Sequence, residues 1–582
     1  MNPFEQLRAD LLQAIEAAQR AGELPAALPL ERITVEPPRD PAHGDAATNA
    51  ALILAKPAGR PPMAVAEALA ARLRTVDKIA AVELAGPGFV NLRLSDGFWR
   101  AQVKLALEAG SDYGAADLGR GRRVNVEYCS ANPTGRLHVG HGRGTAFGDA
   151  LANLLARMGF AVTREYYIND SGAQVDVLAR SVHHRYLEAL GAAPAAPPSD
   201  WYPSEEVRAV GAAILAEDGD RWLHATEADW LPVFRSRSVA AILALIKEDL
   251  AALGVHHDVF TSEAALAAAG RIEQTLAELE RQGLVYEGTL APPKGRPSAD
   301  WRPRPQLLFR ATAFGDDVDR PLQRAGGQWT YLAADLAYHL DKIQRGAEEL
   351  IDVWGADHGG YIKRVQAGVR ALSAERVTLD VKICQLVNLM DRGQPLRMSK
   401  RAGRIVNLRD VIDEVGKDVV RFIMLTRKND APLEFDLTKV TEQSRDNPVW
   451  YVQYAHARIC SVRRHAQAAG IEVARGALAA ASLADLVEPE ELALIRQMAT
   501  FPRTLEAAAI HHEPHRIAFY LGDLAASFHA LWNQGKERPE LRFLRPDQPA
   551  VSQARLAMIT AVQIVLASGL ELIGVTPVEE MV

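Results

Sequence analysis

The residues best suited to phosphate chemistry lie in the segment HVGHGRG, which begins at His138. His138 and His141 are spaced so that both rings can face one ligand and donate hydrogen bonds to phosphate oxygens. Glycines let a nucleotide lie close against the backbone, and here they occupy Gly140, Gly142 and Gly144. Taken alone the pattern is weak, because glycine runs also occur in dinucleotide-binding folds and histidine pairs are often structural.

The elements around this segment strengthen the phosphate interpretation. Residues 123–128 read as a strand, residues 130–135 (SANPTG) as a loop, and residues 161–168 as the next strand. Between them a helix is predicted from apolar residues on one face, namely Phe147, Leu151, Leu154, Leu155 and Met158. The sequence therefore predicts a βαβ unit whose helix begins at the histidines, where free N–H groups and the helix dipole attract an anion.

A second basic segment, RMSKR, covers Arg397, Met398, Ser399, Lys400 and Arg401. A flexible cationic loop late in an α/β domain can close over a triphosphate and neutralise the charge of departing pyrophosphate. By itself the segment is more typical of a solvated surface loop. Its place downstream of the histidine segment favours the catalytic interpretation.

Carboxylates that could hold a cationic substrate follow in two places. Tyr331 and Asp335 lie at positions i and i+4 of a predicted helix and share one face. Residues 351–359 read as a strand that ends in a polar turn, which carries Asp357 and His358, and ligands bind at such strand ends in parallel sheets. Asp335 could instead be a solvated surface carboxylate, and Asp357 could cap its own turn. Paired acids suit either arginine or lysine.

The chain is too long for one hydrophobic core, and its patterning predicts three regions. Residues 1–115 combine helices with strands at 82–84 and 90–94, residues 116–446 alternate strand and helix, and residues 447–582 are helical. The apolar stretch 556–575 is about long enough to cross a bilayer, but its polar residues favour a buried helix.

Charge and cysteine content limit the class of protein. The formal charge of −7 excludes a generic polycation, so any RNA binding must come from local basic patches. The three cysteines are far apart and form no CxxC or Cys/His cluster, so a structural zinc site or a disulfide framework is not expected. These features are typical of a cytoplasmic protein.

Residues 138–141 resemble the HIGH motif of class I aminoacyl-tRNA synthetases, and residues 127–135 (EYCSANPTG) are similar to the arginyl branch. The RMSKR segment is similar to the KMSK loop of that class. Arg397 stands in the place of the first lysine and keeps the charge with a different geometry, so Lys400 carries more weight. The segments at 331–335 and 351–359 are similar to arginine- and adenosine-binding stretches of arginyl-tRNA synthetases.

The resemblance implies an α/β fold with a Rossmann-like parallel-sheet catalytic domain, an N-terminal α+β tRNA-binding module and an all-helical C-terminal anticodon-binding domain. It implies the catalytic residues His138, His141 and Lys400. It implies ATP contacts from Gly140, Gly142, His358, Met398 and Ser399. It implies arginine contacts from Glu127, Ser130, Asn132, Tyr331, Asp335 and Asp357. It implies tRNA contacts from Phe89, Asn91, Tyr454, Arg458 and Trp532.

The implied activity is ATP-dependent attachment of arginine to tRNA(Arg) through an arginyl-adenylate, with release of AMP and pyrophosphate. The implied partners are tRNA(Arg), L-arginine and ATP with its Mg²⁺; neither a structural metal nor a membrane is expected, and the chain is expected to act as a monomer. Two alternatives stay open. A small-molecule nucleotidyltransferase can share the histidine element, and a non-catalytic tRNA-binding paralogue can share the whole fold.

Overall fold

The computed structural model describes residues 2–192, 197, 200–290, 304–324, 326–396, 406–444 and 446–581. The chain forms two compact units. One comprises Met1–Ala116, Gln443–Leu572 and Thr576–Val582, and the other comprises Asp117–Glu442 and Ile573–Val575.

The N-terminal part of the first unit is an α+β structure. Its antiparallel strands follow the order β1-β2-β4-β3, with bounds β1 Val35–Glu36, β2 Ala46–Thr48, β3 Ile79–Ala85 and β4 Phe89–Leu94. Its helices are α1 Pro3–Arg20, α2 Ala50–Ala58, α3 Pro62–Leu73 and α4 Asp96–Ala109. The strands predicted at 82–84 and 90–94 are confirmed as parts of β3 and β4.

The second unit is built on a parallel sheet. Among its described residues five strands follow the order β12-β11-β5-β6-β7, with bounds β5 Arg123–Glu127, β6 Ala161–Ile168, β7 Val259–Ser262, β11 Glu349–Gly355 and β12 Thr378–Cys384. Every neighbouring pair is parallel, which confirms the predicted α/β class. Smaller sheets are formed by β8 Val285–Gly288, β9 Gln306–Phe309 and β10 Arg320–Pro321, and by β13 Val387–Asp391, β14 Gln394–Pro395 and β15 Leu433–Asp436.

Helices connect these strands in the second unit. They are α5 Val139–Arg157, α6 Ala173–Ala189, α7 Glu205–Asp218, α8 Glu227–Ala252, α9 Glu263–Ala268, α10 Arg271–Arg281, α11 Tyr331–Gln344, α12 Ile362–Leu372, α13 Leu408–Val415, α14 Lys417–Met424 and α15 Leu437–Thr441. The predicted βαβ unit is β5-α5-β6. Leu332, Leu336 and Leu340 of α11 are buried, as their helical spacing predicts.

The first unit is completed by helices after residue 447, as predicted. They are α16 Pro448–Ala468, α17 Arg475–Ala480, α18 Pro489–Ala499, α19 Phe501–His511, α20 His515–Glu537 and α21 Pro549–Leu572. By length and composition α21 could cross a membrane, but most of its apolar window is buried inside the structure. It is a core helix of this unit.

Helix α5 packs on the sheet through a very close approach. A Cβ atom built on Gly148 would lie 2.3 Å from Cβ of Tyr128, the residue that follows β5. A Cβ built on Gly144 of the same helix would meet only the Val353 side chain, at 3.7 Å. The contact at Gly148 therefore sets how close α5 lies to the end of β5.

We expect Gly148→Ala to lower the free energy of unfolding by about 1–3 kcal/mol, because the new methyl group overpacks a site next to backbone. Gly144→Ala is the matched control, and we expect it to be neutral or stabilising by up to about 1 kcal/mol, since alanine favours the helix. Urea unfolding followed by circular dichroism measures both. Equal stability of the two variants would contradict the packing argument.

Candidate active site

The candidate site lies where the strands of the parallel sheet end. Strand β5 ends at Glu127, β6 at Ile168 and β11 at Gly355, and α5 begins directly after the loop that follows β5. Carboxyl ends of parallel strands are the usual place for ligands, because the loops there diverge and leave a crevice.

His138 and His141 together cap the start of α5. The backbone N–H of His141 donates to Nδ1 of His138 at 3.3 Å, and the backbone N–H of His138 donates to Nδ1 of His141 at 3.2 Å. The rings are stacked, with centroids 3.6 Å apart. Because each Nδ1 accepts a hydrogen bond, the proton of each neutral ring is on Nε2. The cap therefore fixes the tautomer that can donate to an anion.

Gly140 and Gly142 of this segment are each required by a different close contact. A Cβ on Gly140 would lie 2.9 Å from the His138 ring, so glycine lets that ring lie against the first turn. A Cβ on Gly142 would lie 2.8 Å from the Leu408 side chain of α13. Gly142 is buried, so its lack of a side chain lets α5 pack against Leu408.

The basic segment itself, including Met398, Ser399 and Lys400, lies outside the described residues. The described residues that follow it form hydrogen bonds with the histidine segment. The N–H of Val139 donates to the carbonyl of Val406 at 3.4 Å. The N–H of Leu408 donates to the carbonyl of Leu137 at 2.7 Å. Val406 and Leu408 therefore lie beside the start of α5.

The turn after β5 is held in an unusual conformation. Cys129 and Ser130 have φ angles of 70° and 36°, which non-glycine residues rarely adopt. Ser130 Oγ donates to Glu127 Oε1 at 2.9 Å and accepts from the N–H of Tyr167 at 3.0 Å. Asn132 follows and is exposed, with Nδ2 donating to Gln174 at 2.9 Å. The hydrogen bonds of Ser130 hold it next to the carboxyl ends of β5 and β6.

A buried ion cluster lies between α11, the end of β5 and the middle of β11. Lys342 Nζ is 2.6 Å from Glu127 and 3.0 Å from Asp352, and its side chain has no exposed surface. His339 Nε2 is 2.9 Å from Asp352, and its Nδ1 is 2.7 Å from the carbonyl of Asp335. Both of these partners are acceptors, so both ring nitrogens donate and His339 is cationic. Two cations thus balance two carboxylates.

The pKa shifts agree with this charge balance. Burial alone would raise the pKa of Asp352, but Lys342 and His339 together hold it at about 2. Burial would lower the pKa of His339, and the Asp352 carboxylate raises it instead. For Glu127 burial outweighs its contact with Lys342 and raises its pKa. Asp352 is therefore more strongly favoured in its ionised form than Glu127 is.

Two further carboxylates form no ion pair among the residues that the structure describes. Asp335 accepts a hydrogen bond from the Tyr361 hydroxyl at 2.5 Å, and burial raises its pKa to about 6 against the opposing effect of that bond. Glu263 begins α9 and contacts the Ser171 hydroxyl. Burial, then Glu263 and Asp335, raise the pKa of the Tyr167 phenol, so these groups are close together. The Tyr167 ring stacks on Tyr338 with centroids 4.3 Å apart.

The other predicted substrate residues are open to solvent. Tyr331 is 68% exposed, one helical turn before Asp335. Asp357 and His358 are exposed and form a pair at 3.5 Å. They lie in the short helical segment Ala356–Tyr361, which also supplies the partner of Asp335.

Sequence reasoning missed Glu263, Tyr167, Tyr338 and the cations His339 and Lys342. Part of the cluster had a signal, since Asp335, His339 and Lys342 lie at i, i+4 and i+7 of α11 and form a polar stripe beside its apolar one. Glu263 had none, because it is far from the motif in sequence.

The candidate RNA-binding residues lie in the first unit. Tyr454, Arg458 and Trp532 form one half-buried stack, and Phe89 lies elsewhere in the sequence, at the start of β4. The Arg458 guanidinium lies 4.1 Å from the Tyr454 ring centre and 4.6 Å from that of Trp532. Phe89 is 39% exposed. Asn91, in β4, is only 7% exposed, and its contact with tRNA stays a prediction.

Comparison with known proteins covers the whole chain. Residues 5–94 match the family described as arginyl tRNA synthetase N terminal domain, residues 102–460 match tRNA synthetases class I (R), catalytic domain, and residues 452–581 match DALR anticodon binding domain. The sequence is 57% identical over 591 residues to the arginine–tRNA ligase of Rhodospirillum rubrum, with all of both chains covered. It is 55% identical over 581 residues to that of Paracoccus denitrificans, again with full coverage.

Solved structures agree on the fold. Arginyl-tRNA synthetase of Thermus thermophilus superposes with a TM-score of 0.72 at 24% identity, covering 99% of this chain and 100% of that one. The Plasmodium falciparum enzyme superposes with a TM-score of 0.71 at 14% identity, covering 99% of each chain. The parallel-sheet Rossmann-like domain and the matched catalytic family define a class I aminoacyl-tRNA synthetase. Within that class, the chain belongs to the arginine–tRNA ligase family.

We expect Lys342→Met to lower the free energy of unfolding at pH 7 by about 3–5 kcal/mol, because Glu127 and Asp352 would remain buried without that cation. Protonating one of them relieves the excess charge. That protonation costs less as the pH falls towards the unfolded-state pKa of about 4.3, so the deficit shrinks towards pH 5.

The matched control is Lys363→Met, whose ion pair with Asp317 has side chains 64% and 72% exposed and should contribute less than about 1 kcal/mol. Urea unfolding at pH 7 and pH 5 measures both variants. A deficit for Lys342→Met that is small, or that does not change with pH, would show that the cluster is not a compensated set of charges.

Proposed function

We propose that the chain attaches arginine to tRNA(Arg) with ATP, through an arginyl-adenylate, releasing pyrophosphate and AMP. The observation that carries the proposal is the juxtaposition, in one α/β unit, of a histidine-capped helix start and a carboxylate pair, Asp335 and Glu263, that forms no ion pair among the described residues. The first suits a triphosphate and the second suits a guanidinium. Membership of the arginine–tRNA ligase family supports the same reaction.

The triphosphate side consists of the start of α5 and the basic loop. His138 and His141 would donate from Nε2 to phosphate oxygens on which charge develops, and Gly140 and Gly142 would line the approach. His358, Met398 and Ser399 complete the proposed nucleotide contacts, and Lys400 would neutralise departing pyrophosphate. ATP would bring Mg²⁺ on its phosphates, which is the usual way this ion is held.

The amino-acid side distinguishes a guanidinium from an ammonium. Asp335 and Glu263 offer carboxylates to a planar group with five donors, where lysine would offer one compact charge. Tyr331 and Asp357, which are both exposed, would add further contacts to the guanidinium. Ser130 and Asn132 would hold the backbone groups of arginine, and Glu127, whose carboxylate is engaged by Lys342, would act by fixing Ser130.

The reaction then proceeds by positioning and electrostatics. The arginine carboxylate attacks the α-phosphate of ATP, the bond to the β-phosphate oxygen breaks, and pyrophosphate leaves. The terminal ribose hydroxyl of tRNA next attacks the carbonyl carbon of the adenylate, and AMP leaves. We propose that residues 1–115 and 447–582 bind the tRNA through Phe89, Asn91, Tyr454, Arg458 and Trp532, that residues 116–446 are catalytic, and that the enzyme works as a cytoplasmic monomer.

An aminoacylation assay with all twenty amino acids and total tRNA tests the proposal. We expect arginine to be the only one of the twenty amino acids that is attached to tRNA. We expect pyrophosphate exchange only when tRNA(Arg) is present. His141→Ala should lower kcat/KM by about 100-fold, equivalent to about 3 kcal/mol, by removing one phosphate donor. His224→Ala, at an exposed position, is the control. Charging with another amino acid would refute the assignment, and full exchange without tRNA would refute the tRNA requirement.

We expect arginine binding to weaken about tenfold between pH 7 and pH 5. The sign follows from Asp335, whose pKa of about 6 leaves it ionised above that pH and protonated below it, and only the ionised form attracts a guanidinium. Titration calorimetry across this range measures the effect. Asp335→Asn should bind weakly at every pH, whereas the control Asp341→Asn, on the same helix but paired with Arg345, should keep the wild-type profile. A flat wild-type profile would remove Asp335 from the site.

A further inference from the structure

One fully buried arginine joins three distant parts of the chain inside the α/β unit. Arg421 of α14 has no exposed surface. Its Nε donates to the carbonyl of Ile573 at 2.8 Å and its Nη1 to the carbonyl of Leu253 at 3.2 Å. Its Nη2 donates to the carboxylate of Asp149 in α5. Every nitrogen of the guanidinium therefore has its own partner.

The contact with Asp149 continues to the candidate active site. The Tyr128 hydroxyl donates to Asp149 at 3.3 Å, and Tyr128 is fully buried. Tyr128 is followed directly by the strained turn of Cys129 and Ser130, and Ser130 Oγ bonds Glu127. An unbroken series of hydrogen bonds and chain neighbours thus connects residue 573 with Ser130.

The segment Ile573–Val575 is closely fitted to Arg421. Gly574 has a φ of 71°, and a Cβ built on it would lie 2.1 Å from Cζ of Arg421. Glycine is required there both by the backbone conformation and by the approach of the guanidinium. The chain leaves α21 at Leu572, and Ile573–Val575 belong to the α/β unit.

We propose that Arg421 is a positioning residue for the arginine site, through which residues 573–575 set the conformation of the Cys129–Ser130 turn. The proposal rests on the proposed function, because it takes Ser130 to contact the substrate arginine. The turn is strained, so it persists only where its surroundings hold it. Loss of either end of the connection should let the turn relax and weaken arginine binding, while the histidine-capped start of α5, which is held by its own hydrogen bonds, keeps its hold on ATP.

Two substitutions test opposite ends of the connection. Gly574→Ala displaces the segment from Arg421, and Tyr128→Phe removes only the hydroxyl that bonds Asp149. The matched controls are Gly470→Ala, where φ is also positive and no atom lies within 4 Å of the new Cβ, and Tyr520→Phe, which removes a hydroxyl bonded to the carbonyls of Gln497 and Met498 in the helical part of the first unit. Full-length variants are assayed for aminoacylation with saturating tRNA(Arg), normalised by active-site titration.

We expect KM for arginine to rise about tenfold in Gly574→Ala and about threefold in Tyr128→Phe, with KM for ATP within about twofold of wild type and both controls unchanged. A lower kcat or active fraction with both KM values unchanged would indicate a purely structural role and overturn the proposal. If Gly574→Ala does not fold, Tyr128→Phe decides. Wild-type chain that fails to charge arginine would defeat the proposed function itself, whereas normal wild type with variants that match their controls defeats only the role of Arg421.

Discussion

The salt bridge from Lys342 to Glu127 and Asp352 is the interaction on which the candidate site depends. It joins α11 to two adjacent parallel strands, at the end of β5 and in the middle of β11. Burying these charges is costly, and it becomes tolerable only because two cations meet two carboxylates with hydrogen bonds among them. Since the cations come from α11, the helix cannot shift along the sheet without leaving buried carboxylates unmatched.

This internal neutralisation explains the charge that the site presents. With Glu127 and Asp352 balanced from within, Asp335 and Glu263 are the carboxylates left to attract a cation from outside. Burial raises the pKa of Asp335 by more than the Tyr361 hydroxyl and the His339 charge lower it, and a bound guanidinium would lower it further. In the function we propose, the histidine-capped start of α5 donates N–H groups to an anion. The two ends of the site are therefore electrostatically opposite, as the joining of a cationic amino acid to a triphosphate requires.

Much of the fold could be predicted because its signals are local. The apolar spacing of α5 and α11, the alternation in β3 and β4, and the uninterrupted helical pattern after residue 447 each follow from the period of one element. The histidine segment was found for the same reason, since its residues are neighbours in sequence. Asn91 shows the limit of this reasoning. Its motif predicts an RNA contact, but only the structure shows that Asn91 is largely buried in β4, with 7% of it exposed.

The sequence by itself determined the family and the element types, because these properties depend on residues a few positions apart. Only the tertiary structure decided which distant residues meet: Lys342 with Glu127, Glu263 near Asp335, and Arg421 with Ile573. Each of these pairings is made by the packing of separate helices and strands, and each side chain could equally have paired with water on the surface. Burial removes that alternative, and burial is a property of the folded chain.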